Sequence, residues 1–115
     1  MKYHGSCHCG KVEFDVELQI DSAISCNCSI CSRRGSLLAF APRAQLTLQT
    51  PEENLATYTF NKHVIKHRFC KHCGILPFGE GVDPKGVATA AVNIRCLDDF
   101  EFDKLPVHHY NGRAL

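Results

Sequence analysis

The chain has 115 residues, of which 44% are hydrophobic and 22% charged, with a net charge of +1. That length suits one domain with a single modest core, and residues 1–115 read as one unit. The near-neutral balance leaves no basic footprint for nucleic acid or an anionic membrane, and no apolar run approaches the roughly 20 residues of a membrane span.

In chain order, the opening "MKYHGSCHCG" has no apolar stretch after its lysine, so no secretory signal is predicted. A cytoplasmic setting is expected, in which the eight cysteines should stay thiols or bind metal rather than form disulfides. Cys7 and Cys9 make a C-x-C, whose sulfurs point to the same side of an extended chain. "KVEFDVELQI" (11–20) alternates without a fault. Val12, Phe14, Val16, Leu18 and Ile20 share one face, which predicts a half-buried strand.

"CNCSICSRRG" (26–35) packs Cys26, Cys28 and Cys31 into a loop, with one helical turn expected after Cys28. Short strands are predicted over 37–40, 44–49 and 56–60. The segment 63–69 alternates up to the next cysteines, with His63, Ile65, His67 and Phe69 on one face. "CKHCG" then supplies Cys70 and Cys73 in a C-x-x-C. Both "CHCG" and "CKHCG" end in a glycine, which tolerates the positive φ that a metal knuckle needs. A small-residue strand is predicted over 86–93, with Cys96 just beyond it, a turn of helix at 97–100, and a final turn at Asn111–Gly112 flanked by His108 and His109. The sum is a mainly β chain of short, mainly antiparallel strands with little helix.

Three clusters holding seven of the eight cysteines point to zinc. Counting suggests a partition. Cys7, Cys9, Cys70 and Cys73 make a closed four-sulfur site, the usual form of a structural zinc. Cys26, Cys28 and Cys31 are left with an open fourth position, as catalytic zinc is held. That second ion is expected to be only partly retained on purification. A rival partition completes the triplet with Cys96 or a histidine and makes both sites structural. Cys96 reads more simply as a small buried side chain. His8 and His72 read as exposed knuckle residues, and His63 or His67 could line a pocket as acid or base. Arg33 and Arg34 follow the triplet. An arginine fork suits a carboxylate, so Arg33 is the candidate substrate contact, while at least one of the pair reads as an ordinary solvated charge.

"GSCHCGKVEF", "CNCSICSRRG", "RFCKHCGILPF" and "VNIRCLDD" together resemble the glutathione-dependent formaldehyde-activating enzyme family, which includes centromere protein V. The resemblance runs in order over most of the chain. It implies a zinc-stapled β-tent, the fold of a small Rab exchange factor, with a structural zinc on Cys7, Cys9, Cys70 and Cys73 and a catalytic zinc on Cys26, Cys28 and Cys31. For family members that are enzymes it implies a carbon–sulfur lyase reaction joining glutathione and formaldehyde as S-hydroxymethylglutathione. A thiol and an aldehyde are therefore the expected partners. The alternative is a non-enzymatic adaptor built on the same scaffold, since fold alone does not carry activity.

Overall fold

The computed structural model describes residues 1–114, and it is built almost entirely of short strands. Strands β1 (Lys2–Ser6), β2 (Glu13–Glu17) and β5 (Leu46–Leu48) form a three-stranded antiparallel sheet in the order β1-β2-β5. A second, seven-stranded sheet runs β10-β3-β4-β9-β8-β7-β6. Its members are β3 (Ala23–Cys26), β4 (Leu38–Pro42), β6 (Leu55–Tyr58), β7 (Lys66–Cys70), β8 (Phe78–Val82), β9 (Ala88–Asn93) and β10 (Val107–Tyr110). Every pairing is antiparallel except β10 on β3, which is parallel. The one α-helical turn among the described residues, α1, covers Cys31–Arg34 and stops at Gly35, whose φ of 72° no β-carbon hinders. Among the described residues no helix is long and apolar enough to cross a membrane.

The core lies between the sheets, and β2 supplies its densest row. Val12, Phe14, Val16, Leu18 and Ile20 are all buried, as the alternation predicts, although ladder pairing covers only Glu13–Glu17. Phe14 meets Phe78 of β8 edge to face at 5.9 Å, joining one sheet to the other. Gly5 makes this close approach possible. A β-carbon there would come within 2.6 Å of the Phe14 ring, so the β1 backbone can lie flat on it only without a side chain.

Other segments depart from the sequence expectations for identifiable reasons. The strand predicted over 63–69 starts only at Lys66, because Asn61 and His63 adopt positive φ (56° and 57°) in a turn. His63 closes that turn on Thr59 at 2.7 Å and does not share a strand face with His67. The predicted 44–49 strand is cut to Leu46–Leu48 by a 3-10 turn at Arg43–Gln45. The helical turn expected at 97–100 is absent. Leu97 instead bridges to Gly5, Asp99 turns the chain at φ 52°, and a 3-10 turn precedes them at Ile94–Cys96. His108 and His109, expected to flank the turn at Asn111–Gly112, lie within the strand β10 that leads to it.

Candidate functional site

Two groups of cysteines converge, and they are built differently. Cys7 and Cys9 lie on the β1–β2 connection, Cys70 ends β7, and Cys73 follows in the next turn. All four sulfurs lie within 4.8 Å of one another, with Cys7 and Cys9 3.6 Å apart and Cys9 and Cys70 3.7 Å apart. Such separations rule out disulfides, whose sulfurs sit about 2.05 Å apart. They match a tetrahedral ion with metal–sulfur bonds of about 2.3 Å, which sets neighbouring sulfurs about 3.8 Å apart. The turns aim backbone N–H groups at the sulfurs. Val12 donates to Cys7, and His72 and Cys73 both donate to Cys70, at 3.4–3.5 Å. Gly10 and Gly74 take the positive φ expected of the knuckles, 83° and 82°.

Ionisation of these thiols favours a cation. Burial pushes Cys73 up, but N–H groups of Ile75 and Cys9 and the neighbouring sulfurs outweigh it and bring its thiol down to about 6. The Lys11 N–H pulls Cys9 down. Burial and the sulfurs of Cys7, Cys70 and Cys73 overcome it and leave Cys9 at about 11. Four thiolates packed this closely cannot all carry charge unless a cation joins them.

The second group is local. Cys26 ends β3, Cys31 opens α1, and Cys28 sits in the loop between them, with the three sulfurs again within 4.8 Å of one another. Cys28 donates its backbone N–H to Cys26 at 3.5 Å. Burial pushes the Cys31 thiol up to about 12, against the pull of the Arg34 guanidinium. Among the described residues no fourth cysteine, histidine or carboxylate joins this group. Cys96 lies elsewhere. It flanks the four-sulfur group, its sulfur is 3.9 Å from the Leu76 carbonyl, and burial raises its thiol to about 11.

The triplet's sulfurs line a cavity of about 320 Å³. Its walls are apolar, among them Ile24, Leu38, Phe40, Phe60 and Ile65, and apart from the cysteines and Tyr110 only Arg34 and His67 bring polar side chains. Arg34 reaches Cys31 at 3.5 Å, Ser36 at 2.9 Å and Nδ1 of His67 at 3.4 Å. A guanidinium has only donors, so Nδ1 of His67 presents its lone pair and the ring proton sits on Nε2. His67 is 7% exposed and its ring stacks on Phe60 at 5.5 Å. Burial, helped by the Arg34 charge, lowers its pKa and keeps the ring neutral.

Arg34 and Leu76 also border a second hollow of about 500 Å³, more polar than the first, where Cys7, Ser36, Asn93, Arg95 and Asp98 lie. Arg33, the candidate substrate contact, is exposed, bonds the Ser29 carbonyl at 2.8 Å, and does not line the triplet's cavity. His8 and His72 are exposed and belong to neither sulfur group.

The sequence pattern of the glutathione-dependent formaldehyde-activating enzymes matches residues 2–112. The chain belongs to that family. Its fold is similar to the crystal structure of a Rhodobacter sphaeroides protein determined as a structural-genomics target. The two are 35% identical, with a TM-score of 0.77, over 94% of this chain and 100% of that one. In this member of the formaldehyde-activating family, the two sulfur groups can each hold a metal ion. The sequence pointed to those sulfurs and to the Arg33–Arg34 pair, but favoured Arg33, whereas it is Arg34 that lines the cavity. Its place becomes visible only when α1 is seen to turn it back over Cys31 and toward His67.

Proposed function

We propose that the protein is a zinc-dependent carbon–sulfur lyase that makes and breaks the adduct of glutathione with an aldehyde. The observation that carries this proposal is the three-sulfur group, with no fourth protein ligand among the described residues, lining a half-open apolar cavity. Cys7, Cys9, Cys70 and Cys73 would hold a structural zinc, and Cys26, Cys28 and Cys31 a catalytic one. When bound there, zinc supplies a thiophilic position at which a substrate thiol is held as thiolate.

The chain's own residues do the rest. In the forward direction the sulfur bonds to the carbonyl carbon, the C=O π bond opens, and the proton lost by the thiol ends on the oxygen. Of the donors that line the cavity, the Nε2–H of His67 is the one we assign to that oxygen as charge develops on it. Arg34 fixes the tautomer and adds positive potential. The apolar walls exclude bulk water and hold the reactants together. Glutathione's carboxylates are assigned to the polar hollow beside Arg34 and Arg95. The need for reduced thiols places the working protein in the cytoplasm, as a single zinc domain over 1–115.

The test is exchange spectroscopy by NMR on glutathione and its formaldehyde adduct, with the metal-loaded protein as purified. Acceleration that is lost on replacing Cys28 is expected. Exchange no faster with protein than without it would refute the lyase and leave the adaptor.

A further inference from the structure

Next to the triplet's cavity, across Phe40 and Ile65, lies another, open hollow of about 510 Å³. The two spaces share Phe40, Ile65, Gly79 and Ala91 as walls. The floor of this groove is the β8–β9 surface, where side chains are small or missing: Gly79, Gly81, Thr89 and Ala91. Glycine inside a strand costs stability and commonly marks a place where another group approaches the backbone closely. A β-carbon on Gly81 would reach ordinary contact with Ile65, 3.7 Å away, and begin to fill the trough.

The rim is apolar and open to solvent: Phe40, Ile65, Val82 and Val87 are 52%, 54%, 59% and 48% exposed. The charged residues lining the groove are Glu80 and Asp83, and both are engaged by the protein. Glu80 binds Arg43 at 3.0 Å and Arg68 at 2.7 Å. Asp83 accepts the N–H groups of Lys85 and Val87, each at 2.9 Å. No cation faces this groove to meet a carboxylate, so the charged ends of glutathione belong in the polar hollow on the other side of Arg34. A one-carbon aldehyde cannot reach past Phe40.

We propose that the groove receives the apolar arm of the aldehyde, making the preferred electrophile an alkyl or aryl aldehyde larger than formaldehyde. This assignment rests on the proposed lyase activity. The bond changes are those already given, with S-(1-hydroxyalkyl)glutathione as the product. Because the arm leaves the new C–S centre away from the sulfur, the thiol and the aldehyde carry their opposite polarities to opposite sides of Arg34.

The experiment measures glutathione exchange with straight-chain aldehydes from formaldehyde to heptanal. The catalytic efficiency should rise about threefold per methylene until the groove is filled. Gly81→Val should flatten that slope. An unreactive probe, 1-hexanol, should shift the backbone amides of Gly79, Gly81 and Ala91 in NMR spectra of the wild type and leave those of the valine variant unmoved. Formaldehyde exchange without chain-length dependence would overturn the groove assignment and keep the lyase. A slope that follows the length of an added alkyl thiol instead would also overturn it. Absence of exchange with every aldehyde would refute the lyase itself.

Discussion

The two sulfur groups differ in what they connect. The four-sulfur group draws Cys7 and Cys9 from the three-stranded sheet's connection and Cys70 and Cys73 from the end of β7, linking residues 61 apart. The three-sulfur group draws on one stretch, Cys26 to Cys31, beside a single sheet. In the four-sulfur group Cys7 and Cys70 are buried, Cys73 is half-buried and Cys9 is exposed, whereas all three members of the triplet are half-buried around a cavity. A site that ties distant segments and already has four protein sulfurs suits a staple. A site that ties nothing distant and faces open volume suits chemistry. The lesson is that ligand count and ligand separation carry different information, and here both point the same way.

The largest effect that could break this comparison comes from Cys70→Ala. A structural zinc contributes roughly 10–16 kcal/mol of apparent binding energy, against a total domain stability of roughly 5–15 kcal/mol. The variant should therefore unfold or aggregate, as circular dichroism and a thermal melt would show. A soluble variant melting with the wild type would end the staple assignment.

Cys28→Ala comes next. It should keep the β-sheet spectrum and one tightly held metal while losing essentially all exchange activity, with metal content read by native mass spectrometry. Unfolding comparable to Cys70→Ala would erase the distinction between the groups. A smaller effect is expected from His67→Asn, which lacks a donor at the Nε2 position. Its kcat should fall about 100-fold, while His67→Gln, whose amide reaches nearer that position, should fall less. Equal losses in the two would show that His67 acts only through packing.

The smallest effects are pH-dependent and of opposite sign at two histidines. Burial holds the folded pKa of His67 below its unfolded value near 6.5. The unfolded chain therefore binds a proton that the folded chain refuses, and stability is lost as pH falls below about 6.5. His67→Phe should weaken that slope relative to the wild type between about pH 5 and 6.5. His4 is the reverse. Its bond to Asp15, helped by Glu13, raises its pKa, so its stabilisation is present below about 6.5 and lost as pH rises through the folded value. His4 is largely solvated, with its side chain 41% exposed, so His4→Gln should cost well under 1 kcal/mol even at acid pH. Urea titrations at paired pH values check both signs.

Much of this architecture was legible because some segments carry their own signal. The perfect alternation from Val12 to Ile20 names the core row before any partner is known, and clustered cysteines have few uses other than metal. The strands β1, β3, β8 and β10 gave no such signal. "KYHGS" and "FGEGV" contain glycines that read locally as breakers, yet Gly5 is required by Phe14, and Gly79 and Gly81 line the groove. "VHHY" is exposed throughout and becomes a strand only by pairing with β3. The cavity was illegible for a related reason. Arg34, His67, Phe40 and Tyr110 come from four separate parts of the chain, and only sheet order brings them together.

The different separations of the ligands also set an order of assembly. The triplet's three cysteines lie within one short loop, so they can capture an ion before the chain has folded. The four-sulfur site exists only after β1–β2 and β7 have met, and closing that 61-residue span costs about 2 kcal/mol more chain entropy than closing the short loop. When zinc is scarce, the ion would reach first the group that the fold does not need. Under the proposed assignment, folding would then wait on the ion's release from the triplet. The position that no protein ligand fills would also ease the ion's exit, which would keep an early capture from becoming a trap.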